Sequence, residues 1–91
     1  MATGVAGSSL ADELNRLANG GTYPAMTAYD VEQGAANAWA GTNGLGLIAA
    51  LNYKASSSRQ PDDYKGLNDI CNELAGTSGL SAVDALRSIN L

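Results

Sequence analysis

The chain has 91 residues and a formal net charge of −4, and 45% of its residues are hydrophobic, although it contains one Trp, four Tyr and no Phe. A chain of this length forms one small domain that removes only about 60–65% of its unfolded surface from water, so its own core is thin. The five basic residues are scattered singly and no apolar run approaches the roughly 20 residues of a membrane helix, which argues against nucleic-acid and membrane partners.

The chain begins with a run of small residues that predicts a flexible N-terminal arm over residues 1–8. The remaining residues, 9–91, are expected to form a single helical domain. At the start of this domain Ser9 is followed three positions later by Asp12, a spacing typical of a helix N-cap with an acid in the first turn. We therefore predict that the first helix begins near Leu10.

The first helix is predicted from leucines that recur on one helical face and from the glycines that follow them. The leucines at these i, i+4 and i+7 positions are Leu10, Leu14 and Leu17. The helix should end at residues 19–21, Asn-Gly-Gly, because these residues tolerate positive φ. A linker is expected over residues 22–27, since Pro24 disfavours helix in the residue before it. Tyr23 and Met26 are expected to anchor this linker on the core.

The second and third helices are predicted to form a helical hairpin. Asp30 and Gln33 offer an N-cap pattern for the second helix. Its expected buried face consists of Val31, Ala35, Ala38 and Trp39. Gly41 should end it, and the turn over residues 41–44 is too short to be a linker. The third helix, about residues 45–55, is therefore expected to fold back beside the second.

The fourth helix is predicted to follow a polar connection over residues 56–60. Pro61 is a favoured first helical residue, and Asp62 and Asp63 would interact well with the positive end of the helix dipole. This helix should end at Gly76. Its expected buried face consists of Tyr64, Leu67, Ile70, Cys71 and Leu74.

The fifth helix is predicted from Ser81 and Asp84, which repeat the N-cap pattern. Its expected buried side consists of Leu80, Val83, Leu86 and Ile89. No segment alternates β-branched and polar residues as a strand would, so the predicted fold is all-α, a small compact bundle of about five short helices. Gly34 and Gly66 are expected inside helices, where each costs about 1 kcal/mol relative to Ala, and close packing of another helix would explain them.

An internal repeat is the most informative feature of the chain. Residues 36–52 return thirty-five positions later as residues 71–87, and the similarity extends over about 29–55 and 64–90. Each copy predicts a hairpin with an AGT(N/S)GL turn between two apolar helices. Two copies are fewer than a solenoid normally needs, so a bundle is favoured over a stacked array. The structural-turn residues are Gly41, Thr42, Gly44, Gly76, Thr77 and Gly79.

Patterns that could indicate an active site have simpler structural interpretations. The glycines of residues 41–46 follow a helix and lack the order of a phosphate loop, which favours a helix C-cap. The acids Asp62, Asp63, Asp69 and Glu73 are expected to lie on a solvated face rather than in an acid–base or calcium site. Cys71 has no His to act as its base and should pack as a small hydrophobe. We therefore predict that the protein is not an enzyme.

The thin core predicts association with other proteins. Small domains are usually supplemented by disulfides, a metal or partner subunits. Cys71 is the only cysteine, and without His the usual zinc ligand sets are missing. We therefore predict no metal and no cofactor, and we expect stabilisation through copies of the chain or through partners.

The aromatic residues are the candidate interface, because they combine large apolar surfaces with polar groups. The candidates are Tyr23, Tyr29, Trp39 and Tyr53. Trp39 aligns with Leu74 in the repeat, so packing on the core is its favoured role. Tyr53 lies near a helix end and is the better candidate to meet a partner.

The two turns with their following helices resemble a repeat found in virion structural proteins of actinobacterial tailed phages. The resemblance rests on residues 40–45 with 50–52 and on residues 74–80 with 85–87, and it extends over roughly residues 30–90. Asn43 departs from the Ser or Thr expected at its position. The resemblance implies a virion protein made in the host cytoplasm.

Within this family, the resemblance implies a minor capsid or decoration protein that binds and stabilises the outer face of the capsid shell. Its partners would be the major capsid protein or other virion proteins, with self-association on a symmetric lattice. The alternative is a tail or tail-fibre accessory module that binds other virion proteins or a host cell-surface polymer. A soluble regulatory or adaptor domain is a further possibility left open by the sequence.

Overall fold

The computed structural model describes residues 7–26, 29 and 31–91, and the regular structure of these residues is entirely helical. This confirms the all-α prediction. Most of the expected N-terminal arm lies outside the described residues. The elements are α1 (Leu10–Ala18), α2 (Glu32–Ala40), α3 (Leu47–Ala55), a 3₁₀ turn (Pro61–Asp63), α4 (Leu67–Ala75) and α5 (Ala82–Ser88).

The helix ends follow from local side-chain and backbone chemistry. Ser9 and Asp12 form a reciprocal capping box at the start of α1, as the sequence predicts, with bonds of 3.0 and 3.1 Å. Ser81 likewise accepts a hydrogen bond from the backbone of Asp84 at the start of α5. Gly41 and Gly76 end α2 and α4 in the left-handed conformation, with φ of 74° and 72°.

Two predicted helix starts are wrong, and the predicted N-cap of another helix lies outside the described residues. The third helix begins at Leu47 rather than Leu45, because the backbone of Leu45 is bound by another side chain described below. The segment after Pro61 makes only a 3₁₀ turn, and α4 begins at Leu67. The predicted cap Asp30 lies outside the described residues, and the N-cap position of α2 is taken by Val31 without a side-chain hydrogen bond.

The five α-helices form a ring in the part of the chain that the structure describes. Each helix packs against the next along the chain, and α5 also packs against α1. Nearly half of the buried core residues are alanines, whose small side chains allow the helix backbones to approach closely. The core residues are Leu14, Leu17, Ala35, Ala36, Ala50, Leu51, Ile70, Cys71, Ala82, Ala85 and Leu86.

Several residues expected in the core are exposed. Val31 is 60% exposed and Ala38 also faces solvent, because α2 instead turns Ala35 and Ala36 inward. Met26, expected to anchor the linker, is 85% exposed. Two further residues of predicted helix faces also differ: Leu80 is exposed, and Tyr64 lies outside α4 and is half-buried.

The predicted packing of another helix against Gly34 and Gly66 is wrong. A Cβ atom on Gly34 would lie 2.9 Å from Cδ1 of Tyr29, so the close approach comes from an aromatic ring in the preceding connection and not from another helix. Gly66 is the N-cap residue of α4, outside the helix, and a Cβ atom there would meet open space. It therefore carries no penalty for a glycine inside a helix.

The capping box at α1 leads to a first prediction. We expect Ser9→Ala to lower the free energy of unfolding by about 1 kcal/mol, because it removes the acceptor for the Asp12 N–H. Thermal unfolding followed by circular dichroism should show a melting temperature roughly 4–8 °C lower. Ser57→Ala, at an exposed position between α3 and α4, is the control and should melt with the wild type. Equal melting of both variants would contradict the assigned cap.

Candidate interaction surface

A buried asparagine stands at the sixth residue of each of the first four helices. In each case the side-chain NH₂ group donates to the backbone carbonyl four residues earlier and to the backbone carbonyl of one residue in the following connection. The backbone N–H of that same residue donates to the asparagine Oδ1. We call this arrangement the asparagine clamp. The clamps are formed by Asn15 on Tyr29, Asn37 on Leu45, Asn52 on Lys65 and Asn72 on Leu80.

The clamps of Asn37 and Asn72 have the same bonds and nearly the same dimensions. Asn37 donates to the Leu45 carbonyl at 2.8 Å, and Asn72 donates to the Leu80 carbonyl at 2.8 Å. The threonine of each AGT turn donates its hydroxyl to the same asparagine, at 2.7 Å for Thr42 and 2.8 Å for Thr77. The turn threonines therefore help to fix the orientation of the clamp asparagines.

The turn glycines provide the backbone shape that the clamps require. Positive φ occurs at the first and last glycine of each turn, a conformation that costs little without a Cβ atom. The glycines are Gly41 and Gly44 in the α2–α3 turn, and Gly76 and Gly79 in the α4–α5 turn.

Arg87 occupies the sixth position of α5 and closes the ring. Its guanidinium donates to the hydroxyl and the carbonyl oxygen of Ser8, which lies two residues before α1. Leu45, Lys65 and Leu80 likewise lie two residues before the helices that follow them. Arg87 therefore holds the segment before α1 as the asparagines hold the connections before α3, α4 and α5.

A buried ion pair joins α1 to the end of α5. Arg16 and Glu13 are both fully buried, with 2.8 Å between the Arg16 Nε and the Glu13 Oε1. The Arg16 Nη2 also donates to the carbonyls of Leu86 and Ile89 at 2.9 and 3.0 Å, which satisfies two carbonyls at the C-terminal end of α5. The hydroxyl of Tyr23 donates to the other oxygen of Glu13.

The environment of Glu13 favours its charged form. Burial alone would raise the pKa of this carboxyl, but hydrogen bonds from Ser8, Tyr23 and Arg16, together with the positive charge of Arg16, lower the pKa below its ordinary value of 4.5. Glu13 therefore remains ionised and paired at neutral pH. The pair acts as a structural connection between helices.

The Glu73 carboxylate and the Cys71 thiol are two further reactive groups, and their surroundings also indicate structural roles. Glu73 is held by Lys65 at 2.7 Å and by Arg59 at 2.8 Å, and the hydrogen bonds from these two groups lower its pKa. Arg59 also donates to the Oδ1 of Asn52, so this group of charges supports a clamp. Burial raises the pKa of the Cys71 thiol to about 11, which leaves almost no thiolate at neutral pH.

Two open grooves lie over the equivalent clamps of the two hairpins. The groove on α4 and its turn has a volume of about 540 Å³ and is lined by charged and amide groups, among them Lys65, Asp69 and Glu73. The groove on α2 has a volume of about 450 Å³ and is lined by uncharged residues, including Tyr29 and Val31. The same backbone shape thus presents different chemistry at two places.

The predicted aromatic residues fall into two groups. Tyr23 and Tyr29 lie in the α1–α2 connection; Tyr23 is half-buried against Glu13, and the ring of Tyr29 covers Gly34. Trp39 is half-buried on the core, and the Nζ atom of Lys54 lies 5.3 Å from the centroid of its ring. Tyr53 precedes Lys54 and is 42% exposed.

Sequence reasoning missed all four asparagine clamps, the Glu13–Arg16 pair and the position of Lys54. A signal for the clamps exists in the sequence, because each of the four asparagines is followed three residues later by alanine. The alanines are Ala18, Ala40, Ala55 and Ala75.

Comparison with protein-family models, with curated proteins and with solved structures gives no match to this chain. None of the helices in the described ranges has both the length and the apolar character required to cross a bilayer.

Proposed function

We propose that this chain is a non-catalytic structural protein of a phage virion, a minor capsid protein that decorates and stabilises the outer face of the capsid shell. The observation that carries the proposal is the use made of the polar interior. The clamp asparagines and the Glu13–Arg16 pair hold backbone and neighbouring helices, which is the work of a scaffold. The resemblance of the two AGT(N/S)GL turns to virion repeats supports the same proposal.

The apolar surface of the α1–α2 connection favours a binding role. Met26 is 85% exposed, Val31 is 60% exposed and Tyr29 is 39% exposed. Tyr29 and Val31 line the same groove, and exposed apolar groups in one patch are typical of surfaces that a partner covers. The proposed partners are the major capsid protein or other virion proteins, and a symmetric shell would multiply weak contacts through many copies. The protein would be made in the host cytoplasm and reside on the capsid exterior.

A second candidate function is that of a tail or tail-fibre accessory module that binds a host cell-surface polymer. The observation that favours it is the aromatic surface at the ends of α2 and α3. Tyr53 is exposed and the ring of Trp39 is only half-buried, so both could stack on a partner. Binding to purified cell-wall fragments instead of shells would support this candidate.

The proposed function is tested with empty phage heads. We expect the purified protein to co-sediment with the heads and to raise their melting temperature in differential scanning calorimetry, because a ligand that binds only the assembled shell stabilises it. Val31→Glu should weaken this binding by placing a charge on the apolar connection, whereas Ser57→Glu at an exposed position should not. A folded protein that neither sediments with the heads nor shifts their melting would contradict the proposal.

A further inference from the structure

One helix departs from the others at a position that is otherwise apolar. Two residues after the sixth position of the helix, α1, α2 and α4 carry an apolar side chain that is buried in the core or packs against it, and the residue that directly follows α5 does the same. These residues are Leu17, Trp39, Leu74 and Ile89. The equivalent residue of α3 is Lys54, which is exposed. The ring of helices therefore has one place where a cation replaces an apolar contact.

Trp39, whose ring lies next to Lys54, also differs from the residues at the equivalent positions. Trp39 is larger than the leucines and isoleucine at the equivalent positions, and the Nζ atom of Lys54 lies 5.3 Å from the centroid of its ring. A cation at this distance over an indole is attracted by the ring. Because the tryptophan also packs on the core, it positions the ammonium group of Lys54 on the surface.

Lys54 also differs from the other basic residues in its charge environment. Arg16 pairs with Glu13, Arg59 and Lys65 pair with Glu73, and Arg87 pairs with Asp84. Within the described ranges, Lys54 is the basic residue for which no carboxylate lies within ion-pair distance. On a chain with a net charge of −4, this gives a positive group beside an indole ring that no carboxylate neutralises.

We propose that Trp39 and Lys54 form a docking patch for a carboxylate-bearing segment of a protein partner. The proposal deepens the proposed function, since that partner would be a virion protein. Lys54 would bind the carboxylate, while the half-buried ring of Trp39 would supply apolar contact area beside it. The net negative charge of the chain would disfavour the same segment elsewhere, so the unpaired cation of Lys54 would help to fix its position on the protein.

The patch can be tested directly because Trp39 is the only tryptophan. Its fluorescence is followed while the protein is titrated with a glutamate-rich peptide or with a lysine-rich peptide of equal length. We expect a saturable change with the glutamate-rich peptide alone, weakened by added salt. Lys54→Met, which keeps the side-chain length but removes the charge, should weaken binding about fivefold. Lys54→Arg should retain it.

Lys65→Met is the matched control, because Lys65 is an exposed lysine that already pairs with Glu73. It should leave the titration unchanged. Equal responses to the two peptides, or equal binding by the wild type and Lys54→Met, would overturn the patch.

Head binding separates this inference from the proposed function. If wild type and Lys54→Met sediment equally with heads, the decoration role stands and the patch is wrong. If the wild type ignores the heads but binds the glutamate-rich peptide through Lys54, the patch stands and the decoration role is wrong.

Discussion

Arg16→Met is expected to unfold the domain or to destabilise it by about 3–5 kcal/mol at neutral pH, the usual cost of breaking a buried ion pair by removing one partner. Glu13 would remain fully buried without its cation, and the carbonyls of Leu86 and Ile89 would lose their donor. Methionine approximates the aliphatic part of arginine, so the loss reports mainly on the charge and its hydrogen bonds. Chemical denaturation followed by circular dichroism gives the free energy of unfolding.

The cost should depend on pH in a direction set by Glu13. In the wild type the folded pKa of Glu13 is lowered, so its contribution to stability is present above its ordinary pKa of 4.5 and is lost as the pH falls through the folded value. In Arg16→Met the buried carboxyl loses its cation, and its folded pKa should rise. The difference in stability between the two proteins should therefore begin to shrink above pH 4.5, as the pH falls through the raised folded pKa of the variant. It should shrink further below pH 4.5, as the wild type loses the contribution of its charged Glu13.

Two further variants separate the charge effect from lost packing. Glu13→Gln combined with Arg16→Met should recover part of the stability at neutral pH, because no unpaired charge is then buried. Lys65→Met removes a half-exposed cation from Glu73 and should change stability by no more than about 1 kcal/mol. A pH-independent loss in Arg16→Met, with no recovery in the double variant, would contradict the assigned role of the pair.

The local features of the sequence predicted the parts of the fold that depend on neighbours along the chain. The Ser9 cap, the leucines of α1 and the all-helical content follow from spacing within one helix. The start of α4 could not be predicted in this way. Pro61 and the acids after it are favourable in the first turn of any helix, but Asn52 holds the backbone of Lys65 on both sides and fixes it outside the helix. That contact spans thirteen residues and leaves no local signature.

The repeat of single helices was hidden by the variable connections between them. The two hairpins align at a constant offset of thirty-five residues, which draws attention to the Asn37 and Asn72 turns. The clamp asparagines themselves are separated by 22, 15 and 20 residues, from Asn15 to Asn37, to Asn52 and to Asn72. No constant period therefore joins all four. Their burial also argues against prediction from composition, because asparagine is mostly exposed in proteins and is buried here only with all its hydrogen-bonding groups engaged.

The candidate surface could be predicted only in part, because it depends on contacts between helices. Tyr53 near a helix end was a reasonable candidate from its position alone, and the structure places it at an exposed site. The sequence gives no reason to select Lys54, because a single lysine on a helix is ordinary. Its relevance depends on the ring of Trp39, which comes from another helix, and on the pairing of Arg59 and Lys65 with Glu73, which lies farther along the chain.

Asn72→Ala is expected to destabilise the domain strongly, because it removes every bond of one clamp. The substitution would leave the N–H and carbonyl of Leu80, the carbonyl of Asn68 and the hydroxyl of Thr77 without their partner in a partly buried site. Several unmet hydrogen bonds of this kind should together lower the free energy of unfolding by about 2–4 kcal/mol. The melting temperature should fall by roughly 10 °C or more.

Matched substitutions show whether this loss belongs to the clamp. Asn37→Ala should cost a similar amount, because its bonds to Leu45 and Thr42 have nearly the same lengths. Asn43→Ala changes an exposed asparagine in the same turn and should stay within about 0.5 kcal/mol of the wild type. If Asn72→Ala melted with Asn43→Ala, the connections would be held by their glycine turns alone. If only the clamp variants unfold early, the buried amides rather than the apolar contacts set the positions of the helices, since the core is rich in alanine and specifies register weakly.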